Sequence, residues 1–131
     1  MSKRQSFEVE GLGHANPIPA VSRIGNIVAT GGISGTDTTT GKIPEDVPAQ
    51  CAHMFKNLRT ILAAAGATPE DVIRVTVWIS RPEIRAEVNK EWVVMFPDPH
   101  SRPARHTMFY DRFAGAMVVQ CEAWAVIGGA A

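Results

Sequence analysis

Met117-Val-Val-Gln-Cys-Glu-Ala-Trp-Ala-Val-Ile127 is the stretch on which the fold turns. It alternates as a strand does, and both alternating sets are rich in apolar side chains. Val119, Cys121, Ala123 and Ala125 form one set; Val118, Trp124 and Val126 form the other, interrupted by Gln120 and Glu122. A strand that faces water on one side is apolar on the other side only. This one is therefore expected to be largely buried on both faces.

Working outward, Ala104 to Tyr110 is a second strand candidate, joined to the first through a turn around Ala114-Gly115. Upstream, residues 83–96 place Ile84, Val88, Trp92 and Met95 on one helical stripe, which Pro97 and Pro99 end. Val72 to Ser80 alternates Val75, Val77 and Ile79 against Arg74, Thr76 and Trp78, a strand pattern. The clearest helix runs from Val47 to Ala65, with Met54, Leu58, Ile61, Leu62 and Ala65 at helical spacing and Gly66 as a closing residue. Thr68-Pro-Glu-Asp71 reads as a short turn between that helix and the strand. A further strand signal lies at Asn26 to Thr30, ended by Gly31-Gly32, and residues 34–41 are turn-rich. Two prolines in residues 14–20 predict an extended, irregular loop.

The order is one or two strands, then α-β-α-β-β, too few elements for a doubly wound fold. An α+β domain with one antiparallel or mixed sheet and both helices on one face is the economical solution. Its open face is left for water or a partner, and self-association is the simplest way to bury the second side of residues 117–127.

A length of 131 residues fits one domain, and 45% hydrophobic residues suffice for its core. Thirteen basic residues balance thirteen acidic ones, which argues against a nucleic-acid binder, since that class carries a basic patch or stripe. Residues 1–10 are polar, with no apolar signal region, and no run approaches the roughly 18 apolar residues of a membrane helix. The expected location is the cytoplasm, with no membrane partner. Cys51 and Cys121 form no CxxC pair and are expected to be reduced, buried thiols.

Four segments carry a resemblance. They are Gly25-Asn26 before the strand ending Thr30-Gly31-Gly32; Thr40-Gly41-Lys42-Ile43-Pro44 before the first helix; Val75-Thr-Val77 ahead of Val88-Asn89 and Trp92; and Arg102-Pro-Ala-Arg105, followed fifteen residues on by Gln120-Cys-Glu-Ala123. Over about residues 14–127 the chain resembles the RidA family, also called YjgF/YER057c/UK114. The resemblance implies a chorismate-mutase-like, ferredoxin-like α+β fold assembled as a homotrimer around an inner barrel. It also implies three clefts between subunits, where small enamines and imines such as 2-aminoacrylate are hydrolysed without metal or organic cofactor.

The resemblance assigns Arg105 the grip on the substrate carboxylate, a role suited to a planar guanidinium with parallel donors. Asn89 and Trp92 keep the family pattern, Trp92 as an aromatic wall. Gln120 stands where the family's deaminases carry the glutamate that activates water. An amide orients a water but does not accept and return a proton at neutral pH. Glu122 shares the strand face of Gln120 about 7 Å away and does not replace it. Ile18, Gly31 and Thr107 stand where other members have a tyrosine, a serine and a cysteine, which makes the pocket larger and more apolar.

Among the histidines, His14 lies four residues before Ile18, within reach of the cleft; a backbone-tying loop histidine is the plainer expectation. His106 follows Arg105 and so points to the opposite strand face. No His pair has metal-ligand spacing. Cys51 starts the first helix, where a helix N-terminus can lower a thiol pKa, but a small buried residue is the expectation. Two functions stand out: an imine/enamine hydrolase with Arg105 as anchor and Gln120 orienting water, and a non-catalytic binder of small carboxylates. Ribonuclease activity, attached to some members, fits the neutral charge least.

Overall fold

The computed structural model describes residues 3–128. Its strands are β1 (Arg4–Phe7), β2 (Val21–Ile24), β3 (Ile27–Thr30), β4 (Ile33–Ser34), β5 (Val72–Ile79), β6 (Ala104–Phe109) and β7 (Val119–Val126); its helices are α1 (Val47–Ala64) and α2 (Ile84–Met95). They form one sheet in the order β1-β2-β3-β7-β5-β6, with β4 paired to β7 beyond the end of β3. The sheet is mixed: β5 and β6 run parallel, because α2 carries the chain back between them, and the other pairs are antiparallel.

The first helix begins and ends where local chemistry dictates. Asp46 caps α1 by accepting the Ala49 N–H at 3.0 Å, Pro48 follows in the first turn, and Gly66 exits at φ 84°. Met54, Leu58, Ile61 and Leu62 face the sheet, as the periodicity predicts. On α2, Ile84, Val88 and Trp92 do the same. Against them lie Val75, Val77 and Ile79 of β5 and Val119, Cys121, Ala123 and Ala125 of β7, which complete the core. Thr68-Pro-Glu-Asp71 is the expected short turn, a single 3-10 turn over Pro69–Asp71.

Three strands go beyond the sequence reading: β4, which falls where that reading ended a strand and began a turn, and β1 and β2. β1 and β2 extend the sheet past β3; Gly25, at φ 57°, and Asn26 form the two-residue turn that joins β2 to β3. The last strand is apolar on both faces, but within one chain only one is covered. Trp124 and Val126 stay 47% and 46% exposed, on a face they share with Ile24 and Ile27. No described helix is long and apolar enough to cross a membrane.

Candidate active site

Two groups of polar side chains stand at the two faces of the sheet. The first lies between the edge strand β6 and α2. Arg105 pairs in register with Val75, and Val75 with Ala123, so all three point toward the helices. There the Arg105 guanidinium lies over the Trp92 ring, 4.8 Å from its centre, and donates to Asn89 Oδ1 at 2.7 Å. Trp92 is held edge-on to Phe96, with ring centres 4.7 Å apart. Burial, and then the charge of Arg85, lower the Arg105 pKa, though a guanidinium remains charged at any physiological pH. Arg105 Nη1 is buried and has no partner. A charged donor left unmatched has the geometry to pair with an anionic oxygen. Thr107, half-buried, follows on the same strand face, and then Phe109, over which Arg85 of α2 lies at 5.8 Å.

The second group surrounds the break between β3 and β4. A cavity of about 290 Å³ is lined by His14, Gly32, Ser34, Met117 and Gln120, with Ile61 of α1 among its apolar walls. His14 Nε2 lies 3.0 Å from the Gly32 carbonyl. A carbonyl only accepts, so this nitrogen carries the proton, and Nδ1 is left as an acceptor, buried and unpartnered. His14 therefore does tie down backbone, and it is also the one titratable side chain lining the cavity. Gly31 lies under the imidazole: an added Cβ would sit 3.2 Å from His14 Cε1. Gly32 lies under the amide of Gln120, where a Cβ would come within 2.2 Å of Nε2. Ile18 is 47% exposed on the loop beyond and does not line this cavity.

The two groups do not meet within one chain. Gln120 is in register with Trp78, and Trp78 with Met108, on the face away from the helices. Arg105 is three residues along and two strands across, about 10 Å in each direction, and on the opposite face. His106 turns to that open face too, as the alternation predicts, with Nδ1 2.9 Å from Arg74 Nη2. Cys51 has no activated thiol: burial pushes its pKa up to about 12. Cys121 is raised by burial as well. The sequence reading passed over Arg85, for which the i, i+4 spacing to Asn89 was available as a signal. It took the Gly31-Gly32 pair as allowing close backbone approach beside the cleft, and Gly32 does lie against the Gln120 amide.

The sequence profile of the family described as endoribonuclease L-PSP, which includes the YjgF and RidA proteins, matches residues 13–127. The chain belongs to this family. The 2-iminobutanoate/2-iminopropanoate deaminase of Escherichia coli K12 is a RidA-family relative, 30% identical over 104 residues, which are 79% of this chain and 81% of that protein. The YjgF gene product of E. coli superposes with a TM-score of 0.83 at 27% identity, over 93% of this chain and 98% of that one. E. coli TdcF with bound serine superposes at 0.86 and 27%, over 95% and 99%. The fold is therefore the RidA fold, and among relatives of this similarity are named imine deaminases.

Proposed function

We propose that the protein is an imine or enamine hydrolase acting on a small carboxylate, in clefts completed between the subunits of a cytoplasmic homotrimer. The observation that carries this is Arg105, stacked on Trp92 and tethered by Asn89, with a buried N–H unmatched. The relative named 2-iminobutanoate/2-iminopropanoate deaminase supplies the reaction class. The sheet supports a second subunit in this reading: Arg105 and Gln120 stand on opposite faces of one chain, so a substrate that touches both draws them from different copies. The exposed Ile24, Ile27, Ile73, Met108, Trp124 and Val126 supply the apolar surface for that assembly. The buried, unpaired thiols of Cys51 and Cys121 suit the cytoplasm.

In this reading, Arg105 holds the substrate carboxylate and Trp92 walls the site. Gln120 aligns a water on the C=N carbon; addition gives a carbinolamine, which loses ammonia to leave the keto acid. The proton removed from water needs an acceptor that an amide is not. His14 Nδ1, in the same cavity as Gln120, is positioned for that role. No metal or organic cofactor enters this scheme. The glutamine also favours a second reading, a carboxylate-binding protein without catalysis.

Imines generated from amino acids by an amino-acid oxidase separate the two. The hydrolase reading expects faster keto-acid release with wild type and a loss of about 100-fold or more in Arg105→Gln, the scale of removing a charged hydrogen-bonding anchor. Absence of acceleration, with small carboxylates still bound, establishes the binding reading. Activity gained in Gln120→Glu would then place the loss at that residue.

A further inference from the structure

The helix that tethers Arg105 carries a second arginine on the same stripe. Arg85, Asn89 and Trp92 are spaced i, i+4 and i+7 on α2 and face Arg105, Thr107 and Phe109, which alternate along β6. Arg85 is one turn from Asn89, about 6 Å along the helix axis. Its guanidinium lies over the Phe109 ring, while that of Arg105 lies over Trp92, so each cation is parked on an aromatic face.

Neither cation has a carboxylate partner among the described residues. The two acidic residues nearest Arg85 in sequence are engaged elsewhere: Glu83 pairs with Arg81 and Glu87 with Lys90, each at 2.9 Å. Burial, and after it the charge of Arg85, lowers the pKa of Arg105, and among the described residues no carboxylate is paired with either cation. Two cations on one face without a counterion favour a dianion bound between them. Local rules are broken in this way most often at functional sites.

We propose that the face formed by α2 and β6 selects substrates with a second anionic group, Arg105 taking the carboxylate beside the reacting carbon and Arg85 the distal one. The substrate class is then the imine of a dicarboxylic amino acid or a similar dianion, with Thr107 flanking the chain between its charges. This inference rests on Arg105 as the carboxylate anchor.

Calorimetric titration of the full-length protein with butyrate and with malonate, succinate, glutarate and adipate tests it. Wild type is expected to bind at least one dicarboxylate tenfold or more tighter than butyrate, with an optimum in chain length; general attraction of charge gives no such optimum. Arg85→Gln should collapse that advantage, and Arg85→Lys, which keeps the charge and the helix, should retain part of it. A wild type without the preference, or an Arg85→Gln protein that keeps it, overturns the dianion proposal. The anchor reading is tested separately by Arg105→Gln: unchanged affinity for butyrate and dicarboxylates alike sinks that reading, whatever Arg85 does. If wild type binds none of the five, both fall.

Discussion

Gln120 and Gly32 constrain each other. The Gln120 amide occupies the space where a side chain at residue 32 would begin. Gly32→Ala displaces the free end of a flexible side chain rather than backbone, so the protein should fold with little loss of stability. Keto-acid release in the imine assay should nevertheless drop tenfold or more, because Gln120 can no longer lie over the His14 tether. Equal activity in the variant would show that the amide's position is immaterial. The thiols make a second test at this scale. Burial raises Cys51 to about 12 from the ordinary value of 9.0, and raises Cys121 in the same direction. The folded chain therefore holds these protons after the unfolded chain has released them. Stability contributed by the two thiols is present below pH 9.0 and falls as pH rises from there toward 12. Reaction with a thiol reagent at pH 8 should be negligible in the native protein and involve two groups in denaturant; rapid native labelling would contradict the burial.

Between elements, two buried amide side chains make polar links. Gln50, in the first turns of α1, donates through Nε2 to the Pro44 and Ala116 carbonyls at 2.9 and 3.0 Å, and accepts the Val118 N–H at 2.7 Å. One side chain thus joins the start of α1, the loop before it and the approach to β7. Asn57, a further two turns along, donates to the carbonyls of Ser34 and Thr36 and so holds β4 against the helix. Gln50→Leu keeps the volume but leaves three backbone groups unmatched, at a cost of about 3 kcal/mol. Urea unfolding followed by tryptophan fluorescence reads that loss directly; a change under 1 kcal/mol, within about the value of one hydrogen bond, would mean that water replaces the amide. These links also hold Ser34 and Met117 at the cavity wall. A Gln50 variant should therefore lose part of its activity even where it remains folded.

At the scale of the molecule, the uncovered sheet face is the dominant feature. Trp124 is central to it, in register with Arg74 on one side and Ala29 on the other. Wild type should sediment at three times the chain mass, whereas Trp124→Glu, which places a charge in the apolar surface, should sediment as a single chain and lose activity with the clefts. A wild-type monomer at micromolar concentration would remove the inter-subunit site. The α+β class, both helices with their buried stripes, and four of the strands were legible in the sequence, because period and capping are local properties of the chain. β1 was not: Arg4–Phe7 is short and polar and is a strand only because β2 lies beside it. β2 had a signal in Gly25-Asn26, a two-residue turn between strands, which the reading treated only as a lead-in to β3. For the site, the family resemblance pointed to Arg105, Asn89, Trp92 and Gln120, and position on the entry loop pointed to His14. Tertiary structure alone decided which of them meet. Sheet register set Arg105 and Gln120 on opposite faces, a close approach at Gly32 joined His14 and Gln120, and the packing of α2 on β6 brought Asn89 and Trp92 to Arg105. Those relations depend on which strands become neighbours, and that is settled by burial of the whole core rather than by any local run of residues.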